Sequence, residues 1–238
     1  MAGLLVSVRS PEEALAAVAG GASVIDVKEP GRGPLGRSDP DTWRAIRAVV
    51  PRSIPVSVAL GEIGEFEGVP PGSFEGIAFR KLGLAGAGDG WIGRWAAIRR
   101  AHPGPTAWVA VAYADWQAAR APAPDEVLGA ALEAPGCAGV LVDTWDKTRP
   151  AWQDGPEPWA GWIARARAGG RFVALAGGLD LASIARLAPL RPDLFAVRGA
   201  ACLGSDRLGR VDRDRVAVLV LGAARVPEIA GPASRRPG

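Results

Sequence analysis

Three lysines occur in this chain, Lys28, Lys81 and Lys147, among 28 basic residues, so 25 are arginine. Arginine supplies positive charge but keeps its proton at working pH, whereas a lysine can lose one and act as a nucleophilic amine. Each lysine follows an apolar run with strand character: SVIDV before Lys28, GIAFR before Lys81 and GVLVDT before Lys147. Within VIDVKEP, Asp26 and Lys28 are two residues apart and share one strand face. A carboxylate and an amine are expensive to bury in an apolar run, which argues for a site holding them. Asp143 ends the GVLVDT run, with Lys147 just beyond it. Amines flanked by other charges are candidates for perturbed, catalytic pKa values. The competing reading makes the three lysines chance occupants of a solvated surface.

The elements that must position these groups follow an alternating rhythm. Strands are predicted at Leu4–Val8, Ser23–Lys28, Ile54–Leu60, Ile77–Leu82, Thr106–Tyr113, Gly139–Thr144, Arg171–Ala176 and Leu194–Val197. Ser10-Pro11-Glu12-Glu13 reads as an N-cap, a first-turn proline and two acids suited to the dipole of a helix that ends at Gly20-Gly21. Further helices are predicted at Asp41–Val50, Trp91–Ala101, Asp125–Glu133, Trp159–Ala168, Asp180–Ala188 and Asp212–Leu221. The linker 61–76 is glycine-rich and acidic, with no helical period. Eight strands alternating with helices imply parallel pairing with right-handed crossovers, closing into a single (β/α)8 TIM barrel whose third crossover is shortened. An open doubly wound sheet would want a glycine fingerprint after its first strand, where VRSPEE stands instead. The barrel is assigned to residues 1–226, with 227–238 as a basic tail.

Barrel sites lie at the C-terminal ends of the strands. That rule gathers Asp26, Lys28, Lys81, Asp143 and Lys147 at one rim, with Tyr113 and Asp115 at the end of the fifth strand. Across the rim, Gly177-Gly178 and Arg198-Gly199 follow strands seven and eight, where barrels commonly bind phosphate. A plain tight turn at the glycine pair is the alternative. His102, the sole histidine, sits at a helix end and reads as a surface group, which leaves no triad or histidine-based metal site to build. A magnesium site on Asp26 and Asp143 would compete with the adjacent lysines, so no metal is expected. The tryptophans read as packing or a subunit interface, favouring a homo-oligomer.

The chain has 238 residues and a net charge of +3, with scattered arginines and no basic run interleaved with aromatics, so nucleic-acid binding has little support. Cys137 and Cys202 lack metal or redox spacing and suit a reduced, cytoplasmic compartment. No apolar segment reaches spanning length and no signal peptide is evident, so no membrane partner is expected.

The stretches SVRSPEEALAAVAGGASVIDVKEPGRGPLG, FRKLGLAG, VAYAD, VDTWDK, ALAGGL and VRGAAC, in that order, resemble the (5-formylfuran-3-yl)methyl phosphate synthase family of methanofuran biosynthesis. The resemblance runs from about Leu4 to Arg210. It implies condensation of two glyceraldehyde 3-phosphates to a furan aldehyde phosphate, with loss of phosphate and water and no external cofactor. By position it implies that Lys28 forms a Schiff base and Lys81 accepts a proton, supported by Asp26, Asp143 and Lys147. Gly177, Gly178, Arg198 and Gly199 would hold one phosphate, and Arg32 or Arg37 another. Two stretches depart from the family pattern: the short 61–76 segment and AGAGDGWIG after Lys81. Alternatives are another Schiff-base aldolase acting on a sugar phosphate, or a barrel that binds a phosphometabolite without catalysis.

Overall fold

A computed structural model of the protein describes residues 1–148, 152 and 155–224. Its strands are β1 (Gly3–Val8), β2 (Val24–Val27), β3 (Val56–Glu62), β4 (Phe79–Gly83), β5 (Ala107–Tyr113), β6 (Cys137–Asp143), β7 (Phe172–Leu175) and β8 (Leu194–Val197). They pair in sequence order, all parallel, and β8 closes on β1. The helices are α1 (Pro11–Ala19), α2 (Pro40–Val49), α3 (Trp91–Ala101), α4 (Trp116–Ala119), α5 (Pro124–Glu133), α6 (Trp159–Ala168), α7 (Leu181–Leu187) and α8 (Arg213–Ala224). Local chemistry sets their ends. The Ser10 hydroxyl accepts the Glu13 N–H at 3.3 Å, Pro11 opens α1, and Gly21 turns the chain out at φ +92°. Among the described residues no helix is long and apolar enough to cross a membrane.

Strand side chains alternate between two cores. One phase packs outward against the helices, as with Val6, Ile25, Val58, Leu82 and Val140. The other fills the barrel with Leu5, Val24, Ala59, Val111, Tyr113, Leu141 and Ala174. The polar groups Ser7, Asp26, Ser57, Lys81 and Asp143 share this inner phase and are buried.

The third crossover is short, as expected. Between β3 and β4 stands a single 3-10 turn, Ile63–Glu65, and no α-helix. Side chains cover the wall in its place. Phe74 stacks on Trp43 at 5.8 Å, and the Arg80 guanidinium lies between the Phe74 and Trp108 rings at 4.7 and 4.3 Å. His102 joins this pile, which corrects its expected surface position. It caps α3, but its ring meets the edges of Phe66 and Phe74, and Nδ1 donates to the Ile98 carbonyl at 2.9 Å.

Two further differences have local causes. Helix α4 is a single turn, too short to leave a periodic pattern. Strand β3 runs to Glu62 rather than Leu60, because a register shift lies between Ala59, paired with Lys81, and Glu62, paired with Gly83. Three β3 residues there span two of β4, so the extra residue turns Glu62 to the inner phase. The tail 227–238 lies outside the described residues.

Candidate active site

Register sets the centre of the site. Ser7, Asp26 and Ser57 stand level on β1, β2 and β3. The Asp26 carboxylate accepts from Ser7 Oγ at 3.1 Å, Ser57 Oγ at 2.5 Å and Lys81 Nζ at 2.6 Å. Lys81 reaches it from β4, across the barrel interior. Both charges are buried, with Lys81 4% and Asp26 1% exposed, so each holds the other in place. Burial pushes the Asp26 carboxyl up, but the Lys81 and Lys28 ammonium groups more than offset it and hold the carboxyl below its usual range.

A second pair closes the opposite side. Asp143, at the end of β6, accepts from Lys147 Nζ at 2.6 Å and from the Thr144 N–H at 2.8 Å. Lys147 Nζ also donates to the Thr144 carbonyl and hydroxyl. Burial raises the Asp143 carboxyl, and the Lys147 and Lys28 charges bring it below its ordinary value. Asp115 holds the loop that carries Lys147, its two oxygens accepting the N–H groups of Trp145 at 2.7 Å and Asp146 at 2.8 Å.

Lys28 differs from the other two lysines. Its Nζ donates to the Pro34 carbonyl at 3.2 Å, and no carboxylate among the described residues lies within ion-pair distance. Its surroundings lower its pKa from 10.5 to about 8: burial is the main cause, Asp143 and Asp26 oppose it, and the Lys147 and Lys81 charges add to it. Lys28 opens into a cavity of about 520 Å³ at the C-terminal mouth, together with Lys81, Lys147, Asp26 and Asp143. A hollow of about 830 Å³ near Pro55, Ile77 and Thr106 lies at the N-terminal ends of β3, β4 and β5, away from every lysine. The lysine cavity has the chemistry, and it occupies the end of the barrel where catalysis is found.

The glycine loops reach the same cavity. Gly177 and Gly178 adopt φ +102° and +68°, and a Cβ on Gly177 would stand 2.7 Å from the Thr144 side chain. Only glycine lets β7 turn this closely over the β6 loop. Gly199 and Arg198 also line the cavity.

The Arg198 guanidinium is otherwise engaged, which corrects its expected role as a phosphate ligand. Nε donates to the Arg207 carbonyl, Nη1 to Ser7 O and Glu13 Oε2, and Nη2 to Glu13 Oε1 and Gly209 O. All five N–H groups have acceptors. Arg32 and Arg37 stand outside the cavity lining. Arg32 donates to the Arg37 carbonyl at 3.1 Å, and Arg37 to the Gly68 carbonyl at 2.9 Å.

Four residues escaped the sequence reading. Ser7 and Ser57 lie in the inner phase, a signal visible only once their register with Asp26 is known. Glu62 was placed in a linker because the bulge hides its phase. Its carboxylate accepts the Tyr113 hydroxyl at 2.7 Å and the Ala85 N–H at 2.8 Å, and burial raises its pKa. Burial and the neighbouring Glu62 push the Tyr113 hydroxyl well up, so it stays protonated. Arg207, in the loop after β8, also lines the cavity.

Fold and site together define a (β/α)8-barrel protein with a lysine–aspartate centre at its C-terminal mouth. The sequence profile described as 4-HFC-P synthase matches residues 4–220. A (5-formylfuran-3-yl)methyl phosphate synthase from Methanocaldococcus jannaschii is 34% identical over 226 residues, covering 90% of this chain and 96% of that one. One from Methanopyrus kandleri is 35% identical over 216 residues, covering 86% and 91%. The chain belongs to the (5-formylfuran-3-yl)methyl phosphate synthase family of enzymes. Among solved structures, Thermotoga maritima phosphoribosylanthranilate isomerase superposes with a TM-score of 0.61 at 16% identity, covering 94% of this chain and 100% of that one, a likeness of fold alone.

Proposed function

We propose that this enzyme condenses two molecules of glyceraldehyde 3-phosphate into (5-formylfuran-3-yl)methyl phosphate, releasing one phosphate and two waters, for a methanofuran-type cofactor. The observation that carries this reading is the division of labour among the lysines. Lys81 and Lys147 are ion-paired, while Lys28 has, among the described residues, only a backbone carbonyl as partner and has a depressed pKa. An amine with a pKa of about 8 is partly neutral near pH 7.5 and therefore nucleophilic.

In this mechanism the Lys28 Nζ lone pair attacks the carbonyl carbon of one triose. The carbinolamine loses its oxygen as water, leaving an iminium as electron sink. Lys81 gives its proton to the departing carbinolamine oxygen and, now the free amine, takes one from the carbon next to the iminium, so that the C–H electrons form an enamine. The enamine carbon attacks the aldehyde of the second triose, which gains a proton at its oxygen. Phosphate and two further waters leave by elimination as the furan ring closes, and one water is consumed in freeing Lys28, for a net release of two. Asp26 holds Lys81 in place for proton transfer, and Asp143 does the same for Lys147.

The test is Lys28→Arg, which keeps the charge and removes the transferable lone pair. Glyceraldehyde 3-phosphate alone is expected to give an ultraviolet-absorbing furan aldehyde and a borohydride-trapped adduct on Lys28 with the native chain, and neither with the variant. Substantial product from a folded Lys28→Arg enzyme refutes the imine. An adduct without a chromophore redirects the reading to an aldolase.

A further inference from the structure

We propose that Arg207 is the side chain that receives the substrate phosphate, and that its anchorage ties phosphate recognition to the loop positioning Lys28. This rests on the triose phosphate reading above and replaces the arginine that the sequence suggested.

Arg198 has no free N–H to offer, whereas Arg207 does. Arg207 is partly buried and shares the cavity wall with Gly177, Gly178, Gly199 and Ala200. Its Nη2 donates to the carbonyls of Pro30 at 2.7 Å and Gly33 at 3.2 Å. No described residue accepts from its Nε or Nη1, and no described carboxylate pairs with it. Carbonyl partners leave the guanidinium charge uncompensated, which suits it to a dianionic phosphate through charge-assisted bonds. Two nearby carboxylates line the same wall. Each is occupied with a backbone N–H, Asp206 with Leu208 at 2.9 Å and Asp180 with Ser183 at 2.8 Å.

The surroundings hold Arg207 in this position before any ligand arrives. Its carbonyl accepts from Arg198 Nε at 2.9 Å, and Arg198 is fixed by the buried Glu13 pair. Gly199 lies flat beside it; a Cβ there would stand 3.7 Å from the Arg207 nitrogen and 3.2 Å from the Ser205 carbonyl. Arg198 therefore acts as a strut beneath Arg207.

The second consequence concerns Lys28. Arg207 grips the carbonyls of Pro30 and Gly33, and Lys28 Nζ donates to the next carbonyl, Pro34. One short turn thus carries bonds from both the phosphate-binding cation and the imine-forming amine. A triose with its phosphate on Arg207 and its carbonyl carbon at Lys28 bridges groups already joined through that turn.

The experiment compares the full chain with Arg207→Met and Arg207→Lys, reading borohydride-trapped adduct on Lys28 against concentration of glyceraldehyde 3-phosphate or unphosphorylated glyceraldehyde. Loss of charge-assisted bonds is expected to raise the half-saturating concentration of the phosphate ester about 10- to 100-fold in Arg207→Met. Labelling by glyceraldehyde reads the Lys28 turn without a phosphate, so the loss for the phosphate ester should exceed any loss for glyceraldehyde, and inorganic phosphate should protect only the native chain. Arg207→Lys, which keeps the charge without the fork, should fall between. Unchanged half-saturation and phosphate protection in folded Arg207→Met overturns the proposal. If that variant does not fold, unchanged values in Arg207→Lys overturn it. If native protein forms no Lys28 adduct, the imine reading fails by itself. Calorimetric binding of inorganic phosphate to native and variant chains then decides Arg207: weaker binding to the variant upholds it, equal binding refutes it.

Discussion

Replacing Lys147 with methionine tests whether the site depresses the Lys28 pKa through its neighbours' charges. Lys147 lowers that pKa directly, and at 2.6 Å it also neutralises Asp143, which pulls it upward. Methionine removes the cation and leaves Asp143 facing Lys28, so both changes act in the same direction. A unit charge about 6 Å away at an effective dielectric of about 20 is worth roughly 2–3 kcal/mol, or about two pK units. Burial, the first cause of the depression, persists, so the expected shift is about 1.5 units up from the value of about 8. Near pH 7.5 the neutral fraction of the amine would fall from roughly a quarter to roughly 1%, about 25-fold. Near pH 10 the two proteins would differ by less than about twofold. The assay follows the initial rate of Lys28 modification by an aldehyde under reducing conditions across pH, with peptide mass identifying the residue. It reads the amine and not turnover, so a further role of Lys147 in the chemistry does not interfere. An inflection that stays near 8 or moves down, in variant protein with native melting behaviour, refutes the argument.

Two more predictions concern groups buried away from the lysines. Glu62→Ala leaves the Tyr113 hydroxyl and the Ala85 N–H without their acceptor and should destabilise the fold by about 2–4 kcal/mol. Glu62→Gln can accept from Ala85 and donate to Tyr113, so denaturant melts should place it within about 1 kcal/mol of native; equal losses would show that the pair is not the cause. Arg80 has its pKa lowered to about 10 by burial between Phe74 and Trp108. Arg80→Met keeps the stack without the desolvated charge and should change stability by less than about 1 kcal/mol, whereas Arg80→Ala opens a cavity costing about 2–4 kcal/mol. A loss above about 3 kcal/mol in Arg80→Met would assign the wall's stability to the cation.

Much of the site was legible along the chain. Strand periodicity put Asp26 and Lys28 on one face, and the scarcity of lysine among 28 basic residues singled out Lys28, Lys81 and Lys147. The βα rhythm was enough to choose a barrel and hence the rim where those residues meet. The weak helical character of 61–76 likewise foretold the short crossover. These features are local: period, composition and turn chemistry act within a few residues and need no partner.

Partnership was not legible, because it is a property of register and closure. Nothing within a few residues of Arg198 reveals that Glu13, 185 positions away, accepts from its guanidinium. Nor does the loop after β8 show by composition that Arg207 faces the cavity with donors to spare. One extra residue in β3 turned an apparent linker acid, Glu62, into an inner-wall carboxylate bonded to Tyr113. The order of the lysines was likewise decided in three dimensions. Asp26 is two residues from Lys28, yet its salt bridge goes to Lys81, 55 positions away, because both share the inner phase and Lys81 stands one inner position above the Asp26 level on β4. Sequence can place ionisable groups at a rim; only the closed barrel determines which charges pair and which amine, among the described residues, is left without a carboxylate.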